Sequence, residues 1–181
     1  MKKAAIILLI ILCMFSLYGC KPKAVEKPPL GVLPNEPEEV ETGAVAQAYI
    51  DALDYAIRAY ANRDYVKQTP TEYISFNVDA IALIPSQADR DAIAQFLSGY
   101  GLDFDKRGVN SGRSVAELQK GLEITVIPNP QTDFYEPGAD LILEVRIYKG
   151  LEGRGYFASF KKYGNRYIMT YMYDGLHYPY R

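Results

Sequence analysis

Residues 43–64 read GAVAQAYIDALDYAIRAYANRD, and this stretch decides the fold. Its polar residues Gln47, Asp51, Asp54, Arg58 and Asn62 recur every three or four positions. That spacing is the signature of an amphipathic helix with one polar stripe. Val45, Tyr49, Ala52, Leu53, Ala56, Ile57 and Tyr60 fall on the opposite side and are expected to be buried. The stripe itself is expected to face water. Asp54 and Arg58 form an i, i+4 pair worth about 0.2–0.5 kcal/mol on an exposed helix.

Downstream, EYISFNVDAIALIP alternates Ile74, Phe76, Val78 and Ala80 against Ser75, Asn77 and Asp79, the period of a strand. Ser86 followed by Asp89 marks a second helix start, with Ala92, Ile93, Phe96 and Leu97 as its apolar face and Gly99 or Gly101 as its stop. Ser114 and Glu117 start a short third helix that ends by Gly121. The polar, glycine-bearing run DKRGVNSGRS lies between them as a loop. GLEITVI, LILEVRIYKG, RGYFASFKKY and NRYIMTYMYD then read as an antiparallel meander. The loop IPNPQTDFYEPGAD, too rich in proline for a central strand, interrupts it. Helices segregated from a run of strands indicate an α+β fold. The expected architecture is a long helix and one or two shorter ones on a bent antiparallel sheet of about four to five strands.

This order of elements, with the closing hairpin FKKYGNRYIMTYMY, resembles the cystatin and NTF2-like folds. The resemblance implies a first helix lying in the concavity of a bent sheet. Those folds host enzymes, pockets, inhibitors and assembly modules, so the resemblance leaves function open.

Upstream, KPKAVEKPPLGVLPNEPEEVET holds five prolines and little apolar periodicity. Proline favours extended backbone rising about 3.1 Å per residue, so residues 20–42 read as a stalk ahead of a single domain over 43–181. Its lysines (Lys21, Lys23, Lys27) lie toward the amino end and its glutamates (Glu36, Glu38, Glu39, Glu41) toward the domain.

Ahead of the stalk, Lys2 and Lys3 precede an apolar run from Ala4 to Gly19, the plan of a secretory signal. The run ends in Leu17-Tyr18-Gly19-Cys20, which resembles the lipobox of bacterial lipoproteins. Leu17, Gly19 and Cys20 match that pattern, while Tyr18 stands where a small residue is commoner. The resemblance implies removal of residues 1–19 as a signal peptide, acylation of Cys20, and residence on the outer side of a bacterial membrane. Two or more acyl chains hold a protein stably where one does not. Cys13 lies in the signal, so the mature chain is left with Cys20 alone and no thiol for disulfides, redox work or metal.

Processing removes two lysines and leaves eighteen basic residues against 22 acidic ones. This balance, with no basic cluster, argues against nucleic acid as a partner. The single histidine, His177, excludes the common zinc sites, and no G-x-S-x-G elbow exists for it to serve. Gly99-Tyr100-Gly101 reads as helix termination, and Asp103 and Asp105 lack the EF-hand pattern. No catalytic set and no cofactor is implied.

The feature above background is tyrosine: sixteen in the chain, ten of them from Tyr100 onward, with no tryptophan. Tyr167, Met169, Tyr171 and Tyr173 alternate with Ile168, Thr170 and Met172, which predicts a shared strand face. Tyr178 and Tyr180 fall in a tail that Pro179 is expected to keep from pairing. Tyrosine supplies an apolar ring and a hydroxyl that wants a partner, so Tyr167, Tyr171 and Tyr173 are candidate binding residues. Phe134 and Tyr135, in the proline-rich loop, are further candidates. The expected function is a non-catalytic, membrane-anchored binding or accessory module with a protein or envelope-component partner. The alternatives are a small hydrolase or isomerase using Asp51, Asp54 or Asp79 with tyrosine, and an inhibitor or immunity-type protein using the 128–139 loop.

Overall fold

The computed structural model describes residues 23–109, 112–130 and 135–179. The predicted first helix is present as α1 (Ala44–Ala61). It is followed by α2 (Asp64–Lys67), β1 (Tyr73–Phe76), a 3-10 turn (Val78–Ala80) and α3 (Gln87–Ser98). Then come β2 (Asp103–Asp105), α4 (Val115–Leu118), β3 (Gly121–Pro128), β4 (Leu141–Lys149), β5 (Glu152–Tyr163) and β6 (Arg166–Pro179). The class is α+β: the described residues form four helices and one six-stranded mixed sheet in the order β2-β1-β3-β4-β5-β6.

Two expectations about the sheet are corrected. It has six strands rather than four or five, because the short β2, which ends where the expected loop begins, is too brief to show a period. It is not wholly antiparallel either, since β1 pairs parallel with both β2 and β3. Parallel neighbours need a crossover of a dozen or more residues, and α3 fills the one between β1 and β2. From β3 onward the sheet is the predicted antiparallel meander.

The helix starts were legible. Ser86 Oγ accepts from the Asp89 N–H, and Ser114 with Glu117 forms a complete capping box. Gly150 and Gly164, with φ of +65° and +60°, sit in the two-residue turns between β4 and β5 and between β5 and β6.

One sheet face receives α1. Leu53, Ile57 and Tyr60 are fully buried with Leu143, Val145, Ile147, Tyr156, Ala158 and Phe160, so the space between helix and sheet is packed core. The Tyr60 hydroxyl donates to the Glu152 carbonyl at 3.0 Å. Lys149, buried at the end of β4, donates to the carbonyls of Val66 and Thr69 and to the Thr71 hydroxyl. It thereby ties α2 and the following loop to the sheet.

On the face opposite α1, Glu123, Glu144, Phe157 and Ser159 are also buried. Tyrosine and arginine side chains cover it in two matched clusters. Tyr73 donates to Glu123 at 3.1 Å while the Arg113 guanidinium lies 4.2 Å from the Tyr73 ring centre and pairs with Glu123. Tyr178 donates to Glu144 at 2.8 Å while Arg146 lies 4.5 Å from the Tyr178 ring centre and pairs with Glu144 at 2.6 Å. Cation–π contact and charge-assisted hydrogen bonds act together in each. The rings lie over glycines: a Cβ on Gly153 would come within 2.3 Å of the Tyr148 ring and 2.9 Å of the Tyr178 carbonyl. Gly153→Ala is therefore expected to cost about 1–3 kcal/mol as overpacking, read from the urea midpoint.

Candidate functional site

The middle of the polar stripe of α1 does not face water, while Gln47, Asp51 and Asn62 at its flanks are half-buried. Asp54 is 1% exposed and Arg58 5%. What covers them is the proline-rich segment, which packs along the domain rather than standing off as a spacer. Leu33 and Pro37 are buried, and Val25, Leu30 and Val40 rest on the core. The backbone of the segment is tied by Val25 N–H to Met169 O (3.2 Å), Asn35 N–H to Tyr100 O (3.1 Å) and the Asn62 amide to Pro29 O (2.9 Å). The physical reason is charge. A buried carboxylate and guanidinium must be hydrogen-bonded and neutralised, and the segment supplies Lys27 and Glu36 for the purpose.

The resulting network is built around Asp54. Arg58 Nε donates to Asp54 Oδ1 at 2.5 Å, the Tyr100 hydroxyl donates to the same oxygen, and the Lys27 ammonium lies 2.6 Å from Oδ2. Glu36 pairs with the other side of the Arg58 guanidinium. Burial pushes the Asp54 carboxyl up, but the hydrogen bonds from Arg58, Lys27 and Tyr100 outweigh it and hold it below the usual carboxylate range. Asp54 is thus a fixed anion. Asp51, one turn earlier, differs: burial is its largest influence and raises it, against the Gln47 amide that donates to it at 3.0 Å.

Between this segment, α1 and the tip of the β5–β6 hairpin runs an open cleft of about 1010 Å³. Its walls are Val25, Val40, Ile50, Phe96 and Met169, with Glu39, Gln47, Asp51 and Arg166 as polar groups. Half of the lining is polar or charged, Lys27, Glu36, Glu41, Asp54 and Arg58 included, so apolar wall and convergent polar groups meet in one cleft, as in binding sites.

The predicted site residues fall in different places. Tyr167 lines the cleft, half-buried against the core, with the Lys162 ammonium 5.8 Å from its ring centre. Tyr171 and Tyr173 do not share its face. A β-bulge shifts the register so that Phe160 pairs with Met169 but Ser159 with Tyr171, leaving Thr170 as the extra residue. Alternation therefore inverts there: Tyr167, Met169 and Met172 turn to the core, while Tyr171 is exposed and Tyr173 lies 6.4 Å from Phe157 on the opposite face. A second bulge at Gly175 precedes further pairing, and β6 runs on to Pro179, so Tyr178 is paired and not in a loose tail.

Tyr135 is exposed, and the next residue, Glu136, donates its N–H to Ser159, the cross-strand neighbour of Tyr171. Phe134 and Cys20 lie outside the described residues. Asp79, exposed on the 3-10 turn, is not among the residues lining the cleft that contains Asp51 and Asp54. His177 is exposed on β6.

Among the described residues no group of three or more His, Cys, Asp or Glu side chains could hold a metal, and no helix is long and apolar enough to cross a membrane. The residues that sequence reading missed are Lys27, Glu36 and Tyr100. The available signal was that the segment carries a cation and an anion to match Asp54 and Arg58.

Asp54→Asn leaves the Arg58 guanidinium with only Glu36, and is expected to cost about 3–5 kcal/mol. The lowered carboxyl also sets a pH dependence. Its stabilisation is complete above the unfolded carboxylate value of about 3.9 and is lost as pH falls through the folded value. The gap between wild type and Asp54→Asn in urea midpoint should therefore narrow from pH 7 toward pH 3. No family model, curated protein sequence or solved structure matches this chain.

Proposed function

We propose that the chain is a lipid-anchored, extracytoplasmic binding module of a bacterial envelope, held to the membrane through Cys20 and receiving its partner in the cleft beside α1. The observation that carries this reading is the state of Asp54. Asp54, the best-placed carboxylate, is committed to Arg58, Lys27 and Tyr100, and so serves to hold the segment in place. A general acid or base needs a pKa near the working pH, whereas this carboxyl is moved away from it. The filled space between α1 and the sheet likewise favours recognition at the surface over chemistry in an enclosed cavity. The finer fold reading, a cystatin- or NTF2-like arrangement with α1 across a bent sheet, is part of the proposal and is supported by the two bulges that bend β6.

The partner is a protein or envelope component that offers apolar surface together with a group complementary to Asp51 and Glu39. Two measurements test the proposal. Cys20→Ser should abolish lipid labelling and release the protein from membranes; retention of both would overturn the anchor. A photoreactive residue at Gln47 in the cleft should yield a discrete adduct in intact membranes, while one at Leu151, on a distant turn, should not. Equal adducts from both positions would count against the cleft as the contact.

A further inference from the structure

The place where the chain enters the domain sets how an anchored domain would sit on its membrane. The Val25 N–H reaches the Met169 carbonyl on β6, close to the β5–β6 turn. Five Cα steps separate Cys20 from Val25, a reach of at most about 18 Å at ~3.3–3.6 Å per residue. A lipid on Cys20 therefore draws the tip of this hairpin to the bilayer, and no long spacer intervenes.

The chemistry of the tip suits that position. Residues 161–167 read KKYGNRY, and the tight turn at Gly164-Asn165 leaves Tyr163 44% exposed. Tyrosine is favoured at headgroup depth, where its ring is in apolar surroundings and its hydroxyl in water. Of the acidic groups beside the tip, Glu39 and Glu41 line the cleft, while Glu136 and Asp140 are already engaged. Glu136 meets the Lys161 ammonium and the Thr170 hydroxyl, and Asp140 accepts the backbone N–H of Lys162. Among the described residues no carboxylate pairs with Lys23, the Lys162 ammonium or Arg166. Each cation near an anionic leaflet is worth about 1 kcal/mol.

We infer that the β5–β6 tip, through Lys162, Tyr163 and Arg166 with Lys23 beside it, is a docking face for an anionic lipid surface. This rests on acylation of Cys20. Because Ala24, Val25 and residues 165–169 also line the cleft, the docked orientation opens the cleft along the membrane surface. The β4–β5 turn, at the far end of the twelve-residue β5, points away from it.

The test uses the lipidated protein in vesicles, with single cysteines introduced as Tyr163→Cys or Leu151→Cys and labelled with a fluorophore. Brominated phosphatidylcholine mixed with phosphatidylglycerol should quench the label at 163 several times more than the label at 151. Replacing the phosphatidylglycerol by phosphatidylcholine, or introducing Lys162→Glu with Arg166→Glu, should remove most of that difference while the protein stays bound through its lipid. Equal quenching at both positions, or a difference that ignores lipid charge, overturns the docking face. The parent protein, with no introduced cysteine, separates this from failure of the anchor. If its Cys20 reacts with the thiol label, acylation is absent and the docking face falls with it.

Discussion

A carboxylate buried beside a guanidinium on one helix face governs much of this structure. Asp54 and Arg58 are spaced for a surface pair of small value, but the fold buries both, and burial changes the terms. Each must then find enough hydrogen bonds and opposite charge to replace water. Lys27, Glu36 and Tyr100 provide them, and two of the three come from a segment without helix or strand. The network therefore fixes where residues 23–42 run, and with that the cleft and the point at which the chain leaves the domain.

The sheet meets a similar demand on its other face by a different route. The long helix lies on the opposite face, and here the buried glutamates are shielded by tyrosine rings stacked with arginines. Gly121, Gly153 and Gly155 leave room for those rings, where any side chain would collide. Many of the tyrosines are thus absorbed by cover and core: Tyr49, Tyr60, Tyr100 and Tyr156 are fully buried, and Tyr73 and Tyr178 shield carboxylates. The abundance of tyrosine marks how this sheet is closed against water. Only a few of these residues remain to meet a partner, and they are divided between two faces.

How far the candidate site could be read in advance differs from residue to residue. Tyr167 lines the cleft, yet its expected grouping with Tyr171 and Tyr173 assumes unbroken alternation. A single extra residue at Thr170 inverts the side chains from there to the second bulge at Gly175, because the period of a strand is two. Bulges depend on the partner strand as much as on their own sequence, so alternation within β6 held no sign of it. The parallel pairing of β1 was hidden for a related reason: strand direction is set by where the crossover helix packs.

What the sequence by itself determined is local. The period of α1, the caps at Ser86 and Ser114, the meander from β3 to β6 and its tight turns all follow from spacing, hydrogen-bonding side chains and glycine at positive φ. Tertiary structure alone decided which polar residues would lose water. A stripe of Gln, Asp and Arg has the same period whether it faces solvent or a covering strand. Only the packing of residues 23–42 turned it into a buried ion network with a cleft beside it, because burial, unlike periodicity, depends on what the rest of the chain lays on top.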